Sequence, residues 1–199
     1  MCPLKTRQAF VYNINLFFAK DMSQSFGKRR SIRLQGLNYS GAGFYFVTIC
    51  TDNKKHLFGK IIDNEMHWNA AGEAARKCWL EIPAHYPDVK LDVFIIMPNH
   101  VHGILIIENN TDTRAQDIVP LQSRYQKTLS GSIGVIVRGY KIGVSKWFRQ
   151  NTQIKDVWQK NYYEHVIRKE ESLLKIQEYI LNNPAAWEKD KFFCENYLE

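Results

Sequence analysis

The stretch "LDVFIIMPNHVHGILII" (residues 91–107) restricts the possible folds more than any other part of the chain. Two apolar, β-branched runs flank a Pro-Asn turn, which predicts consecutive antiparallel strands over 91–98 and 100–107. Yet the second run carries His100 and His102, one residue apart. On a strand they project from the same face, with Val101 on the other.

The remaining pattern builds a sheet around this pair. "FYFVTICT" (44–51) reads as a buried strand, and "HLFGKII" and "EMHWN" flank a turn at 63–64, predicting a small hairpin. Ala71, Ala75, Cys78 and Ile82 step by 4, 3 and 4, predicting a helix over 69–86 that ends near Pro83 and Pro87. A second helix over 129–150 presents Ile133, Val137, Tyr140, Val144 and Trp147 on one face. Arg138, Lys141, Ser145 and Arg149 form a basic stripe on its flank; such a stripe is either solvated surface or a contact for a polyanion. "VWQKNYYEHVI" (157–167) is strand-like, and a third helix over 169–183 stops at Pro184. Strands that follow one another, with helices between the groups, predict an α+β fold: a ferredoxin-like antiparallel sheet with helices on one face.

Composition narrows the partners. The 199 residues carry 27 Lys plus Arg against 20 Asp plus Glu, a net charge of +7 that favours a polyanion such as a phosphate backbone. Cys2, Cys50, Cys78 and Cys194 form no C-x-x-C pair and read as reduced thiols of a cytoplasmic protein. The apolar stretch near residues 10–18 is too short to span a bilayer and lacks a cleavage site, so no membrane partner is expected. Residues 1–28 read as an N-terminal arm, 29–190 as the folded domain and 191–199 as a tail. "ENNTDTRAQDIVPLQSRYQKT" between strand and helix reads as an exposed loop.

Same-face imidazoles about 6–7 Å apart along a strand can share one metal ion, or can simply be hydrogen-bonded on a sheet. The pair alone leaves both readings open. The last helix adds Tyr179 and Asn183, four residues apart on one face and about 6 Å apart along the axis. They border the stripe of Leu173, Ile176 and Ile180, and the amide of Asn183 stands at the helix end. A tyrosine at such a border is either a packing residue or a reactive phenol.

At these residues the chain resembles a known family. "MPNHVHGIL" is similar to the His-hydrophobe-His element of HUH single-tyrosine transposases. Taken in order, "RRSIRL", "YFVTICT", "LFG", "MPNHVHG", "VWQKNYYEHVIR" and "EYILNNPAAW" resemble the REP-associated tyrosine transposases, from about Arg29 to about Trp187. The resemblance implies that His100, His102 and Asn183 hold a divalent cation, Mg²⁺ or Mn²⁺, and that Tyr179 is the nucleophile. It implies cleavage and rejoining of single-stranded DNA at hairpin-forming sequences through a 5′-phosphotyrosine. With the net charge, it makes Arg138, Lys141 and Arg149 candidates for DNA contact; Tyr39, Tyr125 and Trp147 are either base-stacking groups or core and loop packing residues. A homodimer is also expected.

Tyr162 and Tyr163 are rival nucleophiles, ranked second because a strand residue beside the core moves poorly. Three other functions compete: a hairpin-binding protein with little catalysis, a metal-dependent phosphodiesterase using water, and an RNA-binding module using its sheet face. The last leaves the pairing of H-x-H with Tyr-x-x-x-Asn without a reason.

Overall fold

The computed structural model describes residues 42–108 and 132–194. The expected 1–28 arm, most of the basic entry segment with Tyr39, residues 109–131 with Tyr125 (most of the expected loop and the start of the helix expected from 129), and 195–199 lie outside the described residues.

In chain order the elements are β1 (Gly43–Cys50), β2 (Gly59–Ile62), β3 (Glu65–Trp68), α1 (Ala70–Leu80), α2 (Ile82–His85), β4 (Val89–Ile96), β5 (His100–Ile107), α3 (Ile133–Asn151), β6 (Tyr163–Ile167) and α4 (Glu170–Asn182). A 3₁₀ turn, Pro184–Lys189, continues from α4. The main sheet has the order β4-β5-β1-β6 with every neighbouring pair antiparallel. This is the ferredoxin-like arrangement, reached by crossovers through α1 and α3.

Local chemistry sets the boundaries. Asp63 and Asn64 both take positive φ (51° and 65°), the conformation a tight two-residue hairpin requires, and so join β2 to β3. Asn69 caps α1 by accepting from the Gly72 N–H at 2.9 Å. That helix stops at Leu80, short of the expected 86; Pro83 then sits in the first turn of the separate α2. The strand-like run from 157 forms regular sheet only over Tyr163–Ile167, because Trp158 makes just one isolated bridge, to Thr51.

The sheet is covered on both sides. Tyr45, Val47, Ile49, Val101, Leu105 and Ile107 face a core built with α1 and α3. Phe46 and Ile104 face Ile176, Tyr179 and Ile180 of α4. The expectation of helices on one face therefore holds for the two crossover helices and is corrected for α4. A helical stripe shows that a helix is buried, but not which face of the sheet it buries. On the face that α1 and α3 leave bare, α4 covers the even half of β5, which explains why that strand is apolar on both sides.

Gly103 makes this packing possible. A Cβ there would lie 2.2 Å from Cζ2 of Trp79, a fully buried indole pressed on the strand. Gly103→Ala is expected to destabilise the chain by about 2–3 kcal/mol, or roughly 5–10 °C of Tm, through overpacking. A thermal melt checks this, and an unchanged Tm would contradict the close indole contact.

Candidate active site

The even positions of β5 carry the site. His100 and His102 stand on the α4 face with ring centroids 4.4 Å apart. They are 0% and 1% exposed, and Tyr179 and Asn183 are 5% and 1% exposed. The last two were expected at the border of the apolar stripe; they are instead interior groups. Tyr179 reaches His102, Asn183 reaches the Asp190 carboxylate that Tyr179 also meets, and the segment after Pro184 folds back over the histidines.

Each imidazole is oriented by a polar neighbour. Asn99 donates from Nδ2 to the Phe192 carbonyl at 2.8 Å and to the Lys54 carbonyl at 3.2 Å. Its Oδ1 therefore accepts from Nδ1 of His100, at 2.8 Å. This leaves the Nε2 lone pair of His100 bare, and that buried atom has no hydrogen-bond partner among the described residues. His102 Nδ1 lies 2.8 Å from Oγ1 of Thr48, its register partner on β1. The other nitrogen, Nε2, lies 3.3 Å from the Tyr179 hydroxyl.

Asp190 completes the cluster. Its Oδ2 accepts from the Tyr179 hydroxyl at 3.1 Å and from Asn183 Nδ2 at 2.9 Å, while Oδ1 accepts from the Phe192 N–H at 2.7 Å. With its amide nitrogen committed to Asp190, Asn183 has a buried Oδ1 without a partner among the described residues. His100, His102 and Asp190 each offer a ligand atom within 4.8 Å of the others. Two bare buried acceptors beside a carboxylate and an oriented imidazole are what a divalent cation needs, and are costly without one. These residues fit a metal.

Burial fixes the protonation states. It pushes His100 down to about 4, and it pushes His102 well below the ordinary 6.5, helped by the neighbouring His100. Both imidazoles are thus neutral at physiological pH, the form that binds metal. Burial, reinforced by Asp190, raises the Tyr179 phenol well above 10, so it attacks only if its proton has somewhere to go. On the same face, burial pushes the Cys50 thiol up to about 11 and keeps it neutral.

A pH dependence follows for the metal-free protein. The unfolded chain protonates His100 near 6.5 and the folded chain only near 4, so stability is full above 6.5 and falls as pH drops toward 4. The loss from His100 is roughly 3 kcal/mol. Urea unfolding at pH 7 and pH 4.5, for the wild type and His100→Gln, measures it; the variant should lose less. Equal losses would show that His100 is protonated in the fold.

The other expected residues are placed elsewhere. Arg138, Lys141 and Arg149 lie on α3, which packs on the opposite face of the sheet. Tyr162 donates its hydroxyl to Glu164 Oε2 at 2.7 Å. Tyr163 faces the site side but packs edge-on to Phe46, at 6.4 Å between centroids. His165 sits opposite Phe46 in register, two residues along from the Thr48 and Tyr163 pair. Trp147 is half-buried against Phe148 rather than presented as a stacking platform. Residues 191–194, read from the sequence as the start of a tail, run across the site. The Phe192 ring stands 4.6 Å from His100 and 5.7 Å from His102, and Trp187 is 6.0 Å from His100. Sequence reasoning missed Thr48, Asn99 and Asp190. Of these, only Asn99, beside the first histidine, carried a local signal.

The comparisons bear on the fold. No family model matches the chain. An uncharacterized protein of Haemophilus influenzae (strain ATCC 51907 / DSM 11121 / KW20 / Rd) is 50% identical over 171 residues, covering 84% of this chain and 94% of its own. The chain belongs to one family with that protein. A second protein of the same strain, provisionally named a REP-associated tyrosine transposase, is 23% identical over 74% of this chain and 73% of its own. The solved structure of a REP-associated tyrosine transposase bound to a REP hairpin superimposes with a TM-score of 0.52 at 16% identity, over 83% of this chain and 77% of that one. The chain has the fold of the REP-associated tyrosine transposases. The fold that the sequence resemblance implied is thus borne out. No helix among the described residues is long and apolar enough to cross a membrane, and Cys50, Cys78 and Cys194 are free thiols.

Proposed function

We propose that this protein cleaves and rejoins single-stranded DNA at hairpin-forming sequences, with Tyr179 as nucleophile and Mg²⁺ or Mn²⁺ held by His100, His102 and Asn183, joined by Asp190. The observation that carries the reading is the meeting of Tyr179 with His102 at 3.3 Å, beside the bare Nε2 of His100 and bare Oδ1 of Asn183. A packing tyrosine would not need two orphaned acceptors next to it. The hairpin bound by the structurally similar transposase supports the substrate class.

The mixed nitrogen and oxygen donor set suits Mn²⁺ by affinity and Mg²⁺ by abundance. A bound cation supplies charge that polarises the non-bridging oxygens of the scissile phosphate. His100 and His102 are oriented for this by Asn99 and Thr48. Tyr179 hands its proton toward Asp190 Oδ2, which already accepts that hydrogen bond, as its oxygen bonds to phosphorus. The bond from phosphorus to the 3′ oxygen breaks, and that oxygen takes up a proton. The result is a 5′-phosphotyrosine and a free 3′-OH. Attack by a 3′-OH on the tyrosyl ester runs the same steps backward and rejoins the strand. Phe192 and Trp187 must move aside before a strand can enter, since all the reacting groups are buried.

One chain supplies every group named, so a homodimer, if formed, is not needed to complete the site. The test is covalent trapping. Single-stranded hairpin DNA from repeats flanking the gene, labelled on the 3′ side of the cleavage site, should co-migrate with protein on a denaturing gel in Mg²⁺ or Mn²⁺ and not in EDTA. Cleavage products without any adduct would instead favour a phosphodiesterase that uses water.

A further inference from the structure

A second candidate site lies on the far face of the sheet from the histidines. A groove of about 450 Å³ runs between α3 and the segment leading into β6. Arg138, Lys141 and Arg149 line it from the helix, and Lys155 and Lys160 from the facing segment, with no acidic side chain in the lining. Arg138, Arg149, Lys155 and Lys160 are exposed and form no ion pair among the described residues.

Lys141 plays a different part. Its Nζ donates to the Gln159 carbonyl at 2.7 Å and the Asn161 carbonyl at 3.1 Å, and Trp158 Nε1 donates back to the Lys141 carbonyl at 3.2 Å. These bonds fix the segment before β6 against α3, so the two walls of the groove keep a set position relative to each other. Its lining also carries apolar surface. Ile142 is 53% exposed, and the Tyr162 ring is steadied by the hydroxyl's bond to Glu164.

We infer that this groove binds an unpaired DNA strand, with the four exposed cations on its phosphates and Ile142 and Tyr162 against its sugars or bases. This rests on the DNA-processing reading above and adds a second contact region on the opposite face of the sheet. A single strand presents backbone and unstacked bases together, the combination that cations and apolar side chains in one groove can meet. A duplex is convex; it would rest on the rims and leave Ile142 and Tyr162 uncovered.

The test is binding by fluorescence anisotropy in EDTA, with the full chain and two probes: a blunt hairpin, and the same hairpin with an unpaired extension of about eight nucleotides. The extension should tighten wild-type binding by about 10-fold. Arg138→Gln/Arg149→Gln and, independently, Lys155→Gln/Lys160→Gln should each abolish most of that gain and leave the blunt hairpin within about 2-fold. For the extended probe, the slope of log K against log salt should fall by about 1.4 per double variant, about 0.7 for each lost phosphate contact. Equal losses on both probes would assign the groove to the duplex stem and overturn the inference, as would no loss on either. Because metal is chelated, failure of the Tyr179 chemistry leaves this result standing. Equally, adduct formation on a short strand would survive an idle groove.

Discussion

Tyr179→Phe is expected to remove covalent adduct formation completely and to lower DNA cleavage by at least about 1,000-fold. The substitution deletes one oxygen. That oxygen lies 3.3 Å from His102 Nε2 and donates to Asp190 at 3.1 Å, and both partners keep other contacts: Asp190 retains Asn183 and the Phe192 N–H, and His102 retains Thr48. The ring still fills its place against Phe46, at 6.4 Å between centroids. The fold should therefore lose only about 1 kcal/mol, the net worth of a hydrogen bond. Hairpin affinity and metal affinity should stay within a few-fold. Rates from a single-turnover cleavage assay decide the matter. Cleavage that persists in Tyr179→Phe would move the nucleophile to water and leave the phenol as a substrate-orienting group.

The second large effect concerns the histidines. His100→Ala and His102→Ala each remove a buried ring nitrogen from the ligand cluster. We expect Mn²⁺ affinity to fall by on the order of 100-fold or more, with metal-dependent cleavage falling in step. Asn99→Ala and Thr48→Val leave both ligands in place but release their ring orientation; about 10-fold to 100-fold is expected there. Titration of Mn²⁺ by electron paramagnetic resonance reads affinity directly and does not depend on catalysis. If His100→Ala binds Mn²⁺ as the wild type does, the buried pair is structural and its bare Nε2 has another explanation.

Much of this arrangement was legible in the sequence because it rests on periodicity. Alternation along "HVHGILII" set His100 and His102 on one face, and the four-residue step put Tyr179 and Asn183 on one side of α4. The ferredoxin-like order follows from the succession of elements. What periodicity cannot carry is the pairing of faces. It marked Ile176 and Ile180 as buried without showing that α4 crosses to the side of the sheet that α1 and α3 leave open. For the same reason Tyr179 and Asn183 looked like border residues.

Asp190 was hidden by its context. Between Lys189 and Lys191 a carboxylate reads as solvated surface, and only the fold supplies the three donors that keep it buried. Thr48 looked like one more β-branched strand residue until the β1–β5 register set it opposite His102. Lys141 shows the reverse case. The stripe on α3 was visible as charge, but two backbone carbonyls turn this lysine into a tie between segments, and burial lowers its pKa to about 8.

The central claim is that one particular phenol becomes bonded to DNA phosphorus. The most direct measurement traps wild-type protein on a single-stranded hairpin in Mn²⁺, digests both components, and identifies the modified peptide by mass spectrometry. The account predicts a nucleotide adduct on Tyr179, linked through a 5′ phosphate. An adduct on Tyr162 or Tyr163, or cleaved DNA with no modified tyrosine at all, would contradict it.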